Sequence, residues 1–502
     1  MQNPERRAKG LAALHGAWFW PCAFLILVAL RLPYITSPNF FVDGDESMMG
    51  LMAKHLSEGR EFSVFPYGVA YGFALLETIP AAVGFRLFGP EPTALIGSML
   101  ALFLVGLVFY EKAFYALTCD REWSRGLMLI LGLLPVWIVW SMKARGGYLP
   151  AFFLFGVVLW LTTRESLGTK GVVVGGMLVG LLAHSQAFWF LGMLPLLLLP
   201  VTSGKSARHL LPALASAAAV YAGLYLMGSG SDAYWKPTVF AGWHPARVAS
   251  LPVYLHQLFS GFFYLREIRT PPLLVSGVAW LLTAGYFSSL VLLGKGFAQR
   301  RESRSGLMAL ALLFAVAMLP FLNTVPPRYL LQVSVLLVVA QAFWLGRRAS
   351  SSRWLLRLGG GGLLVLLCLS AFQMTELRPI NPETDSNFQE ELYSLLDFLD
   401  VNEVEGVYSV NGLLTWQLMF YGQERIPARF SSAIDRYPPY PAKVDSILDA
   451  GGRTALLAPI DAADLFSNTY LEDDLIRVGL DYLVLLDPSR RLLEGGGFEF
   501  KR

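Results

Sequence analysis

The chain has 502 residues, 55% of them hydrophobic before its 47 glycines are counted, and only 15% charged. Soluble chains run near about 25% charged, so with a mean hydropathy of +0.50 a string of soluble domains is excluded and a polytopic α-helical membrane protein is expected. The 40 basic and 37 acidic residues nearly cancel to a net +3, which leaves no electrostatic footprint for nucleic acid.

Eleven apolar runs lie near residues 17–35, 92–114, 126–142, 148–162, 171–184, 187–201, 210–227, 272–293, 306–322, 329–345 and 358–374. Each is read as a span, since roughly 20 apolar residues cross a bilayer. The first follows Arg6, Arg7 and Lys9; its length, and the lack of a small-x-small site after it, favour an uncleaved span over a signal peptide. Further basic clusters fall in alternate loops: Lys112, Arg121 and Arg125; Arg164 and Lys170; Lys205 and Arg208; Lys295, Arg300, Arg301 and Arg304; Arg347, Arg348, Arg353 and Arg357. The positive-inside rule puts these and the N-terminus in the cytoplasm. An odd span count then sends the loops 36–91 and 228–270 and the tail 375–502 to the other side of a plasma membrane, the inner membrane of a bacterium. Cys22, Cys119 and Cys368 lie within or at the ends of apolar runs, as small hydrophobes rather than disulfide or zinc partners.

In the first outer loop, Asp43, Asp45 and Glu46 follow the first span closely. Asp43 and Glu46 have the spacing of a capping box for a helix starting at Gly44. Asp45 has no such role; an ionised carboxylate at a helix N-terminus suits a general base. Residues 47–61 carry apolar positions at helical spacing with Lys54 and Glu58 between them, which predicts a helix lying in the membrane interface. Tyr67 and Tyr71 read as interfacial anchors or substrate-orienting groups. A second helix is predicted over 73–88, and Glu77 within it is a carboxyl in apolar surroundings that requires a partner.

Lys143 and Arg145 sit in Ser-Met-Lys-Ala-Arg-Gly-Gly-Tyr, a short connection that the positive-inside rule would leave free of basic residues, and Arg328 opens a late span. A single such residue reads as a snorkelling or headgroup-binding side chain. Several on the face of Asp45 suit the holding of a lipid phosphate, because a phosphate leaving group gains negative charge that fixed cations stabilise. His244, Arg266 and Arg269, in an aromatic-rich second loop, are weaker candidates for the same site.

The tail shifts to mixed polar composition. Strands are predicted at 407–410, 455–458 and 482–486, with helices at 388–399 and 413–421, giving a small extracytoplasmic α/β domain (375–502) after a membrane domain (1–374).

Together these residues resemble the membrane glycosyltransferases of the GT-C fold, in particular the group related to protein O-mannosyltransferases and lipid A aminoarabinose transferases. The resemblance rests on Asp45-Glu46 after the first span, on Phe65 to Glu77, on Leu87 to Gly89, on Lys143 to Tyr148, on Arg328-Tyr329 and on Arg436 to Tyr440. It implies that Asp45 is the catalytic base, with Glu46 beside it. Aminoarabinose-type enzymes follow the loop glutamate with Lys-Pro-Pro. Here Glu77 precedes Thr-Ile-Pro, so the phosphate-holding lysine of that position is missing and Lys143 or Arg145 is expected to replace it. The Trp-Trp-Asp signature of oligosaccharyltransferases is absent, against block transfer to asparagine.

The expectation is an inverting glycosyltransferase that moves a sugar from a polyprenyl-phosphate-linked donor to an acceptor hydroxyl on protein, lipid or polysaccharide. Lys143, Arg145, Arg328 and Arg269 hold the donor phosphate; Asp43, Tyr67, Tyr71, Glu77 and His244 orient substrate. No cofactor is expected, although an Asp43, Asp45 and Glu46 cluster has the oxygen chemistry for a divalent ion. The alternatives are a polymerase or ligase using a diphosphate-linked glycan, a lipid-linked sugar flippase, and a silent scaffold.

Overall fold

The computed structural model describes residues 18–36, 42–60, 63–69, 72–164, 168–202, 210–229, 242–261, 271–300, 302–322, 325–346, 353–375, 387–432, 436–460 and 475–500. Tyr71, Arg266 and Arg269 lie outside the described residues.

All eleven apolar runs carry helix. Among the described residues six helices are long and apolar enough to cross a membrane: Pro92–Thr118, Leu210–Gly228, Leu273–Gln299, Ser303–Phe321, Pro327–Leu345 and Arg357–Met374. The protein is an integral membrane protein. The other five runs hold shorter helices, such as Trp18–Ala29, Tyr148–Thr163 and Thr169–Ser185, or broken ones. One break falls between Arg121–Leu133 and Pro135–Trp140, where the proline cannot donate to the helical ladder. Carbonyls freed there are taken up by Arg31, which is fully buried. Its guanidinium donates to Gly132 O at 2.9 Å and Trp137 O at 3.0 Å, and its Nε donates to Ser141 Oγ at 2.7 Å. The first span is thereby tied to the segment that leads into Lys143. Around this junction the core is aromatic: the Trp137 and Phe152 rings lie 4.5 Å apart, and those of Phe103 and Phe152 4.8 Å.

The tail forms a five-stranded mixed sheet of β1 (Gly406–Ser409), β2 (Ala428–Phe430), β3 (Thr454–Pro459), β4 (Ile476–Val478) and β5 (Tyr482–Leu486), in the order β2-β1-β3-β5-β4. β1 runs parallel to β2 and β3; β5 is antiparallel to β3 and β4. β1, β3 and β5 and the helices Phe388–Val401 and Gly412–Tyr421 match the sequence pattern. β2, β4 and the helix Pro439–Asp449 were not expected.

The tail does not stand apart from the bundle. Its Gly412–Tyr421 helix packs on the Gly44–Ser57 helix, where Gly44 and Gly50 permit the approach: an added Cβ would lie 2.5 Å from Leu413 O and 2.5 Å from the Phe420 ring. The Gly44–Ser57 helix is buried along nearly its whole length, not laid in the membrane interface as its spacing predicts. The tail covers the face that lipid and water would have taken, and Lys54 and His55 are buried with it.

Candidate active site

The Gly44–Ser57 helix begins with a complete capping box. Asp43 Oδ1 accepts from the backbone N–H of Asp45 (3.0 Å) and Glu46 (3.1 Å), and Glu46 Oε2 accepts from Asp43 N at 3.1 Å. Both capping carboxylates also face cations from the 141–147 connection. Glu46 receives Lys143 Nζ at 2.7 Å, in a pair whose side chains are 1% and 3% exposed, and Asp43 receives Arg145 through Nε (3.1 Å) and Nη2. Burial alone would discharge Lys143, but Glu46 more than offsets this and holds the ammonium above its ordinary value.

Asp45 is turned away from the cap and stays open, with 39% of its side chain exposed. Its two oxygens face different arginines: Arg145 Nη1 at 3.7 Å from Oδ2 and Arg436 Nη1 at 3.6 Å from Oδ1.

The connection itself is shaped by Glu77. Its Oε2 accepts from Gly146 N (2.8 Å) and Gly147 N (3.3 Å), and the glycines take φ of +62° and +114°, a region open to glycine at no steric cost. Burial pushes the Glu77 carboxyl up to about 8, with the backbone N–H groups opposing. At neutral pH it is therefore mostly protonated, and among the described residues its buried Oε1 has no hydrogen-bond partner. The Gly-Gly turn aims Lys143 and Arg145 back at the helix N-terminus and starts the Tyr148–Thr163 helix. Arg328 and Arg145 both lie near the Tyr148 hydroxyl. Arg328 is half-buried and, among the described residues, pairs with no carboxylate, resting over the Tyr329 ring at 5.5 Å. Asp45, Arg145, Tyr148, Arg328 and Arg436 thus make a partly open acid-and-cation site at one end of the bundle.

Solved structures share this architecture. The crystal structure of ArnT from Cupriavidus metallidurans in the apo state superposes with a TM-score of 0.57 at 13% identity, over 97% of this chain and 99% of that one. The protein has the GT-C glycosyltransferase fold. The same ArnT bound to undecaprenyl phosphate gives a TM-score of 0.57 at 14% identity, over 93% and 98% of the two chains. The Archaeoglobus fulgidus oligosaccharyltransferase, solved with zinc and sulfate, gives 0.49 at 12% identity, over 88% and 68%. No protein-family model matches the sequence, and no curated protein does.

Within this GT-C scaffold the expected residues part company. Asp43, Asp45, Glu46, Glu77, Lys143 and Arg145 converge. Lys143 is enclosed, however, so a phosphate reaching it would have to displace Glu46. Tyr67 is neither an anchor in lipid nor exposed to the site. Its hydroxyl meets His55 Nδ1 at 2.7 Å and its ring stacks on Tyr437 at 4.6 Å, inside the seam with the tail. His244 is exposed, donates its backbone N–H to Pro320 O at 2.7 Å and makes no contact with the carboxylates. Among the described residues no group of three or more His, Cys, Asp or Glu is disposed to hold a metal ion; Asp43 and Glu46 face Arg145 and Lys143 instead.

Two features escaped the sequence. Arg436 belongs to the Arg-Tyr-Pro-Pro-Tyr stretch, which carried the resemblance but suggested no role. Glu424 lies in a turn at φ +61° and gathers Lys54, Arg60, His55 Nε2 (3.0 Å) and the Tyr440 hydroxyl (2.8 Å). Burial would raise its carboxyl, but His55, Arg60, Lys54 and Tyr440 together hold it well below the usual carboxylate range.

Proposed function

We propose that the protein is an inverting glycosyltransferase that takes a sugar from a polyprenyl-phosphate-linked donor and delivers it to an acceptor hydroxyl at the extracytoplasmic face of a plasma membrane. The observation that carries this reading is Asp45, an open carboxylate at a helix N-terminus, flanked by Arg145 and Arg436 within 3.7 Å, with Arg328 near the Tyr148 that Arg145 also approaches. A carboxylate set open between those cations is placed to take a proton from an acceptor hydroxyl. As that proton moves to Asp45, the oxygen attacks the anomeric carbon from the face opposite the lipid phosphate. The carbon–oxygen bond to phosphate breaks and the configuration inverts.

The departing phosphate carries the bond's electron pair, and Arg328 and Arg145 are the side chains that would stabilise it. Lys143 acts at one remove, by neutralising Glu46 and keeping the capping box in register. The related fold in ArnT accommodates undecaprenyl phosphate, which makes that lipid the first donor carrier to test. The acceptor is a hydroxyl on protein, lipid or polysaccharide, and the reaction as drawn needs no cofactor.

The test uses purified protein in nanodiscs and a panel of undecaprenyl-phosphate-linked hexoses and pentoses, with a membrane extract of the host cell as acceptor. Wild type should release undecaprenyl phosphate and Asp45→Asn should lose about 10²-fold or more of that rate, as expected for loss of a general base. Equal rates would remove Asp45 from the mechanism. Turnover of diphosphate-linked donors alone would favour a polymerase or ligase.

A further inference from the structure

Among the described residues, the tail pairs with the candidate base through one side chain, Arg436, and the surrounding structure fixes where that side chain starts. Gly68, at φ +67°, leaves room for the Arg436 backbone: a Cβ there would lie 2.6 Å from Arg436 Cα. The next residue, Tyr437, stacks on Tyr67. Tyr440, one turn on, donates to Glu424 Oε1 at 2.8 Å, and Glu424 is bound by Lys54, Arg60 and His55 of the first loop. At the near end of the same seam the Tyr421 hydroxyl accepts from Val42 N at 3.0 Å, one residue before Asp43. The strip from Arg436 to Tyr440 is therefore clamped to the first loop beyond Asp45, and the helix that ends at Tyr421 is pinned to the residue before Asp43.

Arg145 cannot orient Asp45 alone. Its Nε and Nη2 are committed to Asp43, and it approaches only Oδ2 of Asp45. Arg436 approaches the other oxygen, and among the described residues Asp45 is its sole carboxylate partner. A carboxylate facing one cation still rotates about its side-chain bonds; cations facing both oxygens from different directions narrow that rotation. The pair stays near the opening, with side chains 24% and 39% exposed.

Resting on the function proposed above, we propose that Arg436 is a positioning residue for the transfer step: it fixes the rotamer of Asp45 toward the acceptor, so the tail supplies part of the active site. Arg436 is assigned no contact with donor phosphate, so its loss should act on the rate of transfer and not on lipid binding.

The experiment measures kcat and KM for donor in the assay above, alongside undecaprenyl phosphate binding and thermal melting. Arg436→Gln should lower kcat about tenfold or more, with KM, lipid binding and melting close to wild type. Arg436→Lys should recover part of kcat, since it restores a cation at that oxygen. In the Asp45→Asn background, Arg436→Gln should cause no further loss of the residual rate, because a residue acting through Asp45 is silent once Asp45 is gone. An unchanged kcat in Arg436→Gln, a loss confined to KM, or a full further loss on Asp45→Asn overturns the proposal. If wild type itself transfers from no lipid-phosphate donor, the functional reading falls and this inference with it; if wild type transfers and Arg436→Gln is unaffected, only the inference falls.

Discussion

Lys143 meets Glu46 at 2.7 Å in a pair almost wholly removed from solvent, and Glu46 also closes the capping box of the helix that presents Asp45. Breaking a buried pair by removing one partner costs about 3–5 kcal/mol, because the remaining charge is stranded, whereas replacing both by apolar groups is often neutral. Lys143→Met should therefore lower the melting temperature strongly, and Lys143→Met with Glu46→Met should recover part of the loss. Undecaprenyl phosphate binding should survive in the double variant; its abolition there would return Lys143 to the direct phosphate-holding role.

Arg328 is the cation of the site without a carboxylate partner among the described residues. A hydrogen bond to a charged group contributes about 1.5–3 kcal/mol, and about 1.4 kcal/mol is tenfold in affinity. Arg328→Gln should thus weaken undecaprenyl phosphate binding roughly 10- to 100-fold with little change in melting. Isothermal titration in nanodiscs measures it, and unchanged affinity would exclude a phosphate role.

Glu77 makes stability depend on pH. Its folded value, about 8, lies above the ordinary 4.5, so the folded state binds the extra proton through that interval. Stability attributable to this group is fully present below 4.5 and falls as pH rises toward 8. Glu77→Gln keeps an oxygen for Gly146 and Gly147 but cannot titrate, so its melting temperature should decline less than wild type between pH 5 and pH 8. Parallel curves would show that Glu77 does not titrate in that window.

Gly147 sits at φ +114°, and a Cβ there would lie 2.7 Å from Ser185 O. Gly147→Ala should destabilise by more than about 1 kcal/mol, as substitutions at incompatible backbone positions do. It should also reduce transfer by shifting Arg145. A melting curve and rate matching wild type would show that the turn adapts freely.

Much of this was legible in the sequence where a residue's neighbours along the chain decide its state. The capping box depends on three consecutive peptide units, and the apolar runs fold as helices because a bilayer leaves few other ways to satisfy a backbone. β1 and β3 are short apolar runs between turn residues. β2 is three residues with Arg429 at its centre, and that arginine is buried with Asp445 accepting it at 2.6 Å and the Glu499 carbonyl at 2.7 Å; no local pattern announces such partners. Lys54 reads as the polar side of an interfacial helix, and His55 as one of its apolar-spaced positions, until a distant turn brings Glu424 to them. Arg436 was visible as part of a motif, but its meeting with Asp45 depends on how the tail sits, which spacing does not encode.

The seam between the first loop and the tail also orders events in time. Lys54 and Glu424 are 370 positions apart, so a growing chain inserts its membrane helices while Lys54, His55 and the open face of the Gly44–Ser57 helix still lack their partners. Asp45 gains its second arginine only after the tail has been made and folded. Biogenesis thus withholds the finished site until the tail has docked on the first loop, and molecules stalled before that point carry the acid without the geometry to use it.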